Sequence, residues 1–220
     1  MRSDSRRAIT IVALVLVQLL RASQAYVSRE EFDRAVTSNG YRKPADEVYE
    51  NFAEQTKDFS REEAAMLIAQ LIHESGGFVY TEEIVCTNTD RCRDVYRDNV
   101  GLPGKSYHGR GYIQLTWAAN YRDASSAIGM GDRLLREPEL VAKDPRLAML
   151  VSTWYWRDRV RPLLRPRPDW FGSTTKAING AIECQPGTAN PTAKRRYRLY
   201  EKVADALKLT KRAKENGCNA

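Results

Sequence analysis

Apolar residues recur at helical spacing through the first part of the chain that follows residue 26. The spacing predicts a helix over residues 28–36, and Asn39-Gly40 is expected to end it. A second helix is expected to follow Pro44 and to run to about residue 56. The pattern therefore predicts two short helices at the start of the fold.

The third predicted helix is apolar almost all the way round over residues 64–72. A helix without a polar face is typical of a buried, central position. Ser60 suits its N-cap and Glu63 stands at the third helical position, which together predict a reciprocal capping box. Gly76-Gly77 is expected to end this helix.

Beyond the third helix the pattern becomes less regular. Residues 78–85 alternate weakly and could form a short strand or one arm of a hairpin, and a turn-rich segment follows over residues 87–110. Helical spacing then returns over four segments, residues 117–128, 145–159, 173–178 and 193–208. The whole pattern predicts an α+β fold that is mostly α-helical, with a small β element.

The N-terminal region has a different character. Three arginines precede an apolar run over residues 8–20, and Ser23-Gln24-Ala25 supplies small residues at cleavage-site spacing. This order is typical of a secretory signal peptide, and the apolar run is short for a membrane span. We expect residues 1–25 to be removed; an uncleaved signal anchor is the alternative. Residues 26–220 would then form a single secreted domain with no membrane segment.

Composition and charge limit the class of protein. The chain has 220 residues, 42% of them hydrophobic, which is typical of a globular domain and not of a disordered chain. Its net charge of +7 suggests an acidic partner, but the predicted signal peptide carries four arginines and one aspartate, and losing this +3 leaves +4. Lys194-Arg195-Arg196 and Lys211-Arg212 are typical of solvated helix faces, so nucleic-acid binding is not expected.

The four cysteines are expected to form disulfides, because the chain is predicted to be secreted. Three pairings are possible. We expect the local one, Cys86 with Cys92 and Cys184 with Cys218, because the polar tail would otherwise fray. No metal or cofactor is expected: the chain has no CxxC motif, and His73-Glu74 lacks the second histidine of a zinc-protease helix.

Glu74 is the most informative residue for function. It stands in the last turn of the apolar helix, just before Gly76-Gly77. Burial and the negative end of the helix dipole both favour a protonated carboxyl group, which is the state that a general acid needs. The alternative is a glutamate that caps its own helix end or pairs with an arginine.

A second carboxylate would be needed for glycoside hydrolysis, and Glu82-Glu83 offers two candidates. Glu83 follows Glu74 by nine residues, across a predicted turn, so the two carboxylates could stand on opposite walls of a cleft. The alternation does not decide which of the two adjacent glutamates faces inward. Adjacent glutamates on a surface hairpin are otherwise ordinarily solvated.

Residues 107–117 mix amide, hydroxyl and aromatic side chains with glycines. Gly109 and Gly111 bracket an arginine, which allows a tight turn or a close approach to a ligand. Gln114 and Thr116 alternate with apolar residues, so one face can form hydrogen bonds, as sugar-binding sites require. The alternative is a glycine-rich turn that leads into an ordinary strand or helix.

Taken together, these motifs resemble the family 19 glycoside hydrolases, the chitinase family. The resemblance runs through most of residues 26–220. It implies a lysozyme-like domain of two lobes around a central cleft. The motifs that carry it, in order, are His73-Glu74-Ser75-Gly76-Gly77, residues 107–121, residues 137–145, Trp154-Tyr155-Trp156, and Ala177-Ile178-Asn179-Gly180 through Glu183-Cys184.

The resemblance also implies roles for individual residues. Glu74 matches the general acid, and Glu83 matches the general base, with Glu82 as the alternative. The other matches are Thr116 to a hydroxyl that holds the attacking water, Gln114, Asn120 and Asn179 to substrate-binding or water-orienting amides, Arg196 to a basic residue near the carboxylates, and Cys184–Cys218 to a family disulfide. The sequence departs from the family pattern at Tyr112 and at Ala118-Ala119, and the two alanines put some sugar contacts in doubt, but not the acid–base pair.

The implied activity is that of a secreted endochitinase that cleaves β-1,4 bonds of chitin with inversion. An inverting site places its carboxyl groups about 6.5–9.5 Å apart, and we expect this of Glu74 and Glu83. A cell-wall hydrolase that cleaves peptidoglycan is the main alternative, and a non-catalytic chitin-binding protein is another. The expected partner is chitin or its oligomers, bound by a monomer in a short, open cleft.

Overall fold

The computed structural model describes residues 27–87, 92, 95–187 and 190–218. The predicted signal peptide, residues 1–25, lies outside the described residues. Helices dominate, as predicted. They are α1 (Arg29–Thr37), α2 (Asp46–Gln55), α3 (Arg61–Ser75), a 3₁₀ turn (Ile84–Cys86), α4 (Ala118–Ala127), α5 (Arg133–Arg136), α6 (Leu140–Lys143), α7 (Pro145–Tyr155), a π-helical segment (Trp156–Val160), α8 (Arg161–Leu164), α9 (Phe171–Glu183) and α10 (Pro191–Ala206).

Helix α3 is the centre of the fold, as its apolar sequence predicts. Its side chains from Ala64 to Ile72 are all buried, and it packs most extensively against α10. The polar Gln70 lies within this core and donates hydrogen bonds to Thr174 Oγ1 (2.7 Å) and Thr175 Oγ1 (3.1 Å) of α9. These bonds satisfy a buried amide and fix the relative position of α3 and α9.

The start of α3 differs in part from its prediction. Ser60 is the N-cap and its hydroxyl accepts a hydrogen bond from the backbone N–H of Glu63 (3.1 Å), as expected. The reciprocal half of the capping box is wrong. The Glu63 carboxylate instead accepts from Trp156 Nε1 (2.8 Å) and Arg161 Nε (2.6 Å), partners that are distant in sequence.

The end of α3 is a sharp reversal that begins directly after Ser75. Gly76, Gly77 and Phe78 all have positive φ, at 59°, 74° and 68°. Gly77 cannot carry a side chain here, because a Cβ would lie 2.5 Å from the side chain of Tyr41. The backbone N–H of Phe78 donates to Ser75 Oγ (2.8 Å), which helps to hold this unusual conformation. Glu74 is therefore presented at the end of a rigid helix.

The predicted strand or hairpin arm over residues 78–85 is wrong. Phe78 has a left-handed backbone, which an extended strand does not allow, and the segment ends in the 3₁₀ turn Ile84–Cys86. The described β structure consists of isolated bridges, which join Glu82 to Arg110, Arg110 to Leu115 and Trp170 to Lys214. The first two bridges bring the segment after α3 against the glycine-rich segment.

Two of the later helices also depart from their predicted bounds. The helix predicted over residues 145–159 changes to π-helical geometry at Trp156–Val160, where Trp156 is fully buried and reaches Glu63. Such bulges re-aim side chains within an otherwise continuous helix. Helix α9 begins earlier and ends later than the predicted residues 173–178, and its backbone departs from helical geometry at Asn179 (φ −142°, ψ 33°).

Both predicted disulfides are formed, Cys86 with Cys92 and Cys184 with Cys218. The first closes a small loop directly after Glu83, and the second ties the C-terminal tail to the end of α9. Within the part of the chain that the structure describes, every helix is too short or too polar to cross a membrane.

Candidate active site

A cleft of about 480 Å³ opens between the end of α3, the glycine-rich segment and α9. Six separate stretches of the chain contribute to it, and most were named from the sequence. The lining residues are Glu74, Glu83, Tyr96, Gly109, Ile113, Gln114, Leu115, Thr116, Trp117, Asn120, Tyr155, Ile178, Asn179 and Ile182. Six of the seven predicted polar site residues belong to this lining, and Arg196 does not.

Glu74 is held largely out of water. Its side chain is 15% exposed, and its carboxylate contacts the guanidinium of Arg196. Burial raises the pKa of Glu74, while the charge of Arg196 opposes this effect without reversing it. The structure shows the arginine partner, and the direction of the pKa shift is the one that a general acid requires.

Arg196 lies behind Glu74 and is 1% exposed, so it supports the cleft from beneath its surface. Its Nε and Nη2 donate to the Glu183 carboxylate (2.9 and 2.7 Å), and its Nη1 donates to Gln70 Oε1 (2.8 Å). Burial alone would raise the pKa of Glu183, but hydrogen bonds from Arg196 outweigh it and hold that pKa below its usual range. Arg196 is thus shared between two carboxylates, those of Glu183 and Glu74.

His73 precedes Glu74 and belongs to the same buried group. Burial lowers the pKa of His73 to about 3, and the nearby charge of Arg196 acts in the same direction. The imidazole is therefore neutral at physiological pH and adds no positive charge beside Glu74.

Glu83 also lines the cleft and stands on irregular backbone. Its carboxylate accepts hydrogen bonds from the hydroxyl of Tyr96 (2.9 Å) and from the backbone N–H of Gly109 (3.2 Å). The backbone N–H of Glu83 donates in turn to the carbonyl of Gly109 (2.9 Å). These contacts orient the carboxylate from two sides while leaving it in the cleft lining.

Glu82 faces away from the cleft. Its carboxylate accepts from His108 Nε2 (2.8 Å) and Arg110 Nε (3.0 Å). Burial would raise the pKa of Glu82, but the hydrogen bonds from His108 and Arg110 outweigh it and lower that pKa. The structure therefore separates the two adjacent glutamates, which the alternation of the sequence left undecided.

The glycine-rich segment presents its polar side chains through a contorted backbone. Gln114 and Trp117 both have positive φ, at 55° and 76°, which is unusual for large side chains. The amide of Gln114 packs directly over Gly109, where a Cβ would lie 2.8 Å from Gln114 Oε1. A side chain at position 109 would therefore displace the end of the Gln114 side chain. Backbone strain of this kind is concentrated at functional sites.

Hydrogen bonds within the cleft wall set the direction of the remaining polar groups. Thr116 Oγ1 donates to the carbonyl of Gln114 (2.8 Å), and Asn120 Nδ2 donates to the carbonyl of Thr116 (2.8 Å). Asn179 Nδ2 donates to Glu183 Oε1 (2.8 Å) at the kink of α9. Each of these side chains keeps an acceptor oxygen that a ligand or water can use.

Several residues of the site carry no clear sequence signal. Tyr96 stands in the turn-rich segment, where no periodicity points to it, yet it bonds to Glu83. Glu183 was named only as part of a motif, and its pairing with Arg196 joins two helices. Tyr155, Ile178 and Ile182 complete the lining. Of these three, Tyr155 could have been suspected from the sequence, because it belongs to the aromatic run Trp154-Tyr155-Trp156.

The donor groups of the site do not favour a metal ion. In the described residues, one group of possible ligands lies within 4.8 Å of one another, namely Glu83, Cys86 and Cys92. The two sulfur atoms are bonded to each other, so neither is available as a thiolate ligand. The charged residues of the cleft lining are Glu74 and Glu83, and no lysine or arginine lies among the described lining residues.

Comparison with known families gives a match over more than half of the chain. A family model described as class I chitinase, glycoside hydrolase family 19, matches residues 45–169. The matched region includes both carboxylates of the cleft and the glycine-rich segment, and it ends before α9.

Curated relatives agree with this match. Endochitinase EP3 from Arabidopsis thaliana is 42% identical over 143 residues, which are 65% of this chain and 50% of that protein. Chitinase 4 from Oryza sativa subsp. japonica is 35% identical over 173 residues, 77% of this chain and 55% of that protein. The chain spans about half the length of the curated relatives it matches.

Solved structures share the fold. Chitinase C from Streptomyces griseus superposes with a TM-score of 0.66 at 28% identity, covering 87% of this chain and 80% of that chain. A class IV chitinase of family 19 from Zea mays gives a TM-score of 0.57 at 28% identity, covering 84% of each chain. The expected lysozyme-like, mostly helical fold is thereby confirmed.

Proposed function

Because the match over residues 45–169 shows that this chain belongs to glycoside hydrolase family 19, we propose that it hydrolyses the β-1,4 bonds of chitin. The substrate class follows the family and the printed functions of the relatives, which include an endochitinase. The observation that carries the proposal is one cleft lined by two glutamates in contrasting environments, Glu74 buried beside Arg196 and Glu83 bound by Tyr96 and Gly109.

In the proposed reaction Glu74 is the general acid. It donates its proton to the glycosidic oxygen while the bond from that oxygen to C1 of the sugar breaks. The raised pKa of Glu74 supports this role, because a carboxyl group must still hold its proton near neutral pH to act as an acid. Arg196 then stabilises the carboxylate that remains.

Glu83 is the proposed general base. Its carboxylate accepts a proton from a water molecule whose oxygen attacks C1 on the face opposite the leaving group, which inverts the anomeric centre. Thr116 and the amides of Gln114, Asn120 and Asn179 lie in the same lining, where they can orient that water and the sugar's polar groups. Exchange with solvent returns both glutamates to their starting protonation states.

The charge of the cleft supports chitin over peptidoglycan. Chitin is neutral, whereas the stem peptides of peptidoglycan carry carboxylates. The described lining offers two glutamates and no basic side chain to pair with such groups. The peptidoglycan alternative is therefore disfavoured at this site and is kept as one arm of the test.

Secretion is part of the same proposal. The sequence of residues 1–25 is typical of a signal peptide, and the two disulfides are typical of an oxidising compartment.

The test is analysis of the first product by anomer-resolved chromatography on a soluble chitin oligomer. Inversion at a β-1,4 bond predicts the α-anomer at the newly formed reducing end. Release of the β-anomer would contradict the assignment of Glu83 as a base that activates water. Parallel assays on bacterial cell walls, with Glu74→Gln as the inactive control, measure any peptidoglycan cleavage, and a faster rate on walls than on chitin would overturn the choice of substrate.

A further inference from the structure

Exposed large hydrophobic side chains are concentrated beside the cleft. Nine such side chains occur among the described residues, and seven of them either lie within residues 79–95 or line the cleft. A single exposed apolar residue is ordinary, whereas a local concentration marks a surface that binds something. The seven are Val79, Tyr80, Ile84, Val85, Val95, Trp117 and Ile182.

Four of them form what we call the apolar rim: Val79, Tyr80, Ile84 and Val85, which are 56%, 49%, 62% and 61% exposed. The rim belongs to the segment that leads from the helix end bearing Glu74 to Glu83 and just beyond it. The backbone N–H groups of Val79 and Tyr80 donate to the carbonyl of Ser75 (3.1 and 2.8 Å), which fixes that half of the rim to the end of α3.

The other half of the rim is fixed beside the base. Ile84 and Val85 lie in the 3₁₀ turn that follows Glu83 directly. Cys86 of that turn is buried and bonded to Cys92, which anchors the turn while its two aliphatic side chains point outward. One half of the rim is therefore fixed to the helix end that bears Glu74, and the other half follows Glu83, both of which line the cleft.

The segment that forms the rim itself contributes little charge. Within residues 79–87 the only charged residues are Glu82 and Glu83, and both carboxylates are turned to partners within the protein. A surface that binds nucleic acid, an anionic wall polymer or an anionic membrane needs positive charge to pair with its partner. A neutral and partly apolar partner is the better match.

We infer that the apolar rim rests on the chitin chains that lie next to the chain held in the cleft, so that the protein docks on insoluble chitin. This inference rests on the proposed function and extends it from a single chain to a solid surface. Sugar rings expose C–H faces and acetyl groups expose methyl groups. Contact with Ile84 and Val85 removes both apolar surfaces from water, which is favourable.

The experiment compares Ile84→Ser/Val85→Ser with the parent protein on insoluble and soluble substrate. Binding to insoluble chitin, measured by sedimentation, is expected to weaken about fivefold, which corresponds to ~1 kcal/mol. Turnover of a soluble chitin oligomer is expected to stay within about twofold of the parent, because neither side chain lines the cleft. Leu163→Ser is the matched control, since Leu163 is 43% exposed and lies outside the cleft lining.

The outcomes separate the two proposals. If the parent protein does not cleave the soluble oligomer, the proposed function fails. If it does, and the double variant sediments with chitin as well as the parent and Leu163→Ser do, the rim inference alone is overturned. Tyr80→Ser tests the other half of the rim and supports the inference if it weakens sedimentation without loss of soluble turnover. Stronger sedimentation with anionic lipid vesicles than with chitin would also overturn it.

Discussion

The two glutamates of the cleft are supported in opposite ways. Glu74 ends a buried helix, contacts Arg196 and stands before three residues with left-handed backbone. Glu83 stands on irregular backbone and is oriented by one tyrosine hydroxyl and one backbone N–H. Identical side chains can therefore be given different chemical tasks by what surrounds them, one by exclusion of water and the other by hydrogen-bond donors.

We call the surroundings of Glu74, the proposed acid, the acid side and those of Glu83, the proposed base, the base side. On the acid side, the contacts that stabilise the fold are also those that surround the carboxylate. Arg196 links Gln70 of α3 to Glu183 of α9 and at the same time contacts Glu74. The base side depends on contacts near the surface, with Tyr96 and Gly109 as the immediate partners of Glu83. Changes on the acid side are expected to affect both folding and the pH profile, and changes on the base side mainly the rate.

The largest effect is expected when either carboxylate is removed. Glu74→Gln and Glu83→Ala should each lower kcat on a chitin oligomer by about 10²–10⁴-fold, the usual contribution of a positioned acid or base. The rate of oligomer cleavage measures both.

Rescue then distinguishes the two roles. Glu83→Ala should recover activity with added azide, because a small anion can occupy the space left by the carboxylate. Glu74→Gln should recover on a substrate whose leaving group departs without a proton. If azide instead rescues the Glu74 variant, and the substrate with the better leaving group rescues the Glu83 variant, then Glu83 is the acid and Glu74 is the base.

The next largest effect is expected on stability. Arg196→Met should lower the free energy of unfolding by about 3–5 kcal/mol, because it leaves the buried Glu183 carboxylate without its partner. Urea denaturation measures the change. Arg195→Met is the matched control on the same helix, since Arg195 is exposed, and it should stay within about 0.5 kcal/mol. An equal loss of unfolding free energy in both variants would contradict the inference that the buried pair of Arg196 and Glu183 stabilises the fold.

A shift of the pH profile is expected from Glu183→Gln. Arg196 would lose the carboxylate that neutralises it, so more of its charge would act on Glu74 and lower the pKa of that group. The acid works only while protonated, so the alkaline limb of kcat against pH should move to lower pH. Asp205→Asn, which changes an exposed acid on α10, should leave the limb in place. A movement to higher pH would contradict the proposed role of Glu183.

The smallest effect is expected on the base side. Tyr96→Phe removes one hydrogen bond to Glu83 and should lower kcat about fivefold, or ~1 kcal/mol, with stability nearly unchanged. Steady-state kinetics and a denaturation curve check the two parts. Tyr80→Phe removes a hydroxyl from an exposed tyrosine outside the cleft lining and serves as the control. A large loss of stability in Tyr96→Phe would mean that the base side is as closely joined to the fold as the acid side.

The difference between the surroundings of the two glutamates also shows which features could be predicted from the sequence. Helix α3 was predictable because its apolar residues cover the whole helix, and Glu74 was conspicuous at its end. Both disulfides followed from local spacing and the need to hold the tail. Such local sequence patterns predict the structure correctly because the tertiary contacts favour the same local conformation.

Other features depended on contacts between distant parts of the chain. The capping box at Ser60 failed because Trp156 and Arg161 bind the Glu63 side chain. Tyr96 and Glu183 acquire their importance only from partners that folding brings to them, so neither spacing nor composition could point to them. The choice between Glu82 and Glu83 likewise required the positions of His108 and Arg110.

The C-terminal tail fits closely against α9 beside the acid side of the cleft. Cys184 follows Glu183 directly and is bonded to Cys218. The tail passes over Gly172 so closely that a Cβ there would lie 2.4 Å from the carbonyl oxygen of Glu215. The end of α9 that presents Glu183 to Arg196 is therefore secured by residues 215–218.

This arrangement makes the position of Glu183 depend in part on a disulfide. Helices form within microseconds, whereas disulfide formation takes seconds to hours. A newly made chain can thus collapse around α3 well before Cys218 locks the tail beside Glu183. A chain with reduced thiols should therefore hold Glu183 less firmly against Arg196 than the oxidised chain does.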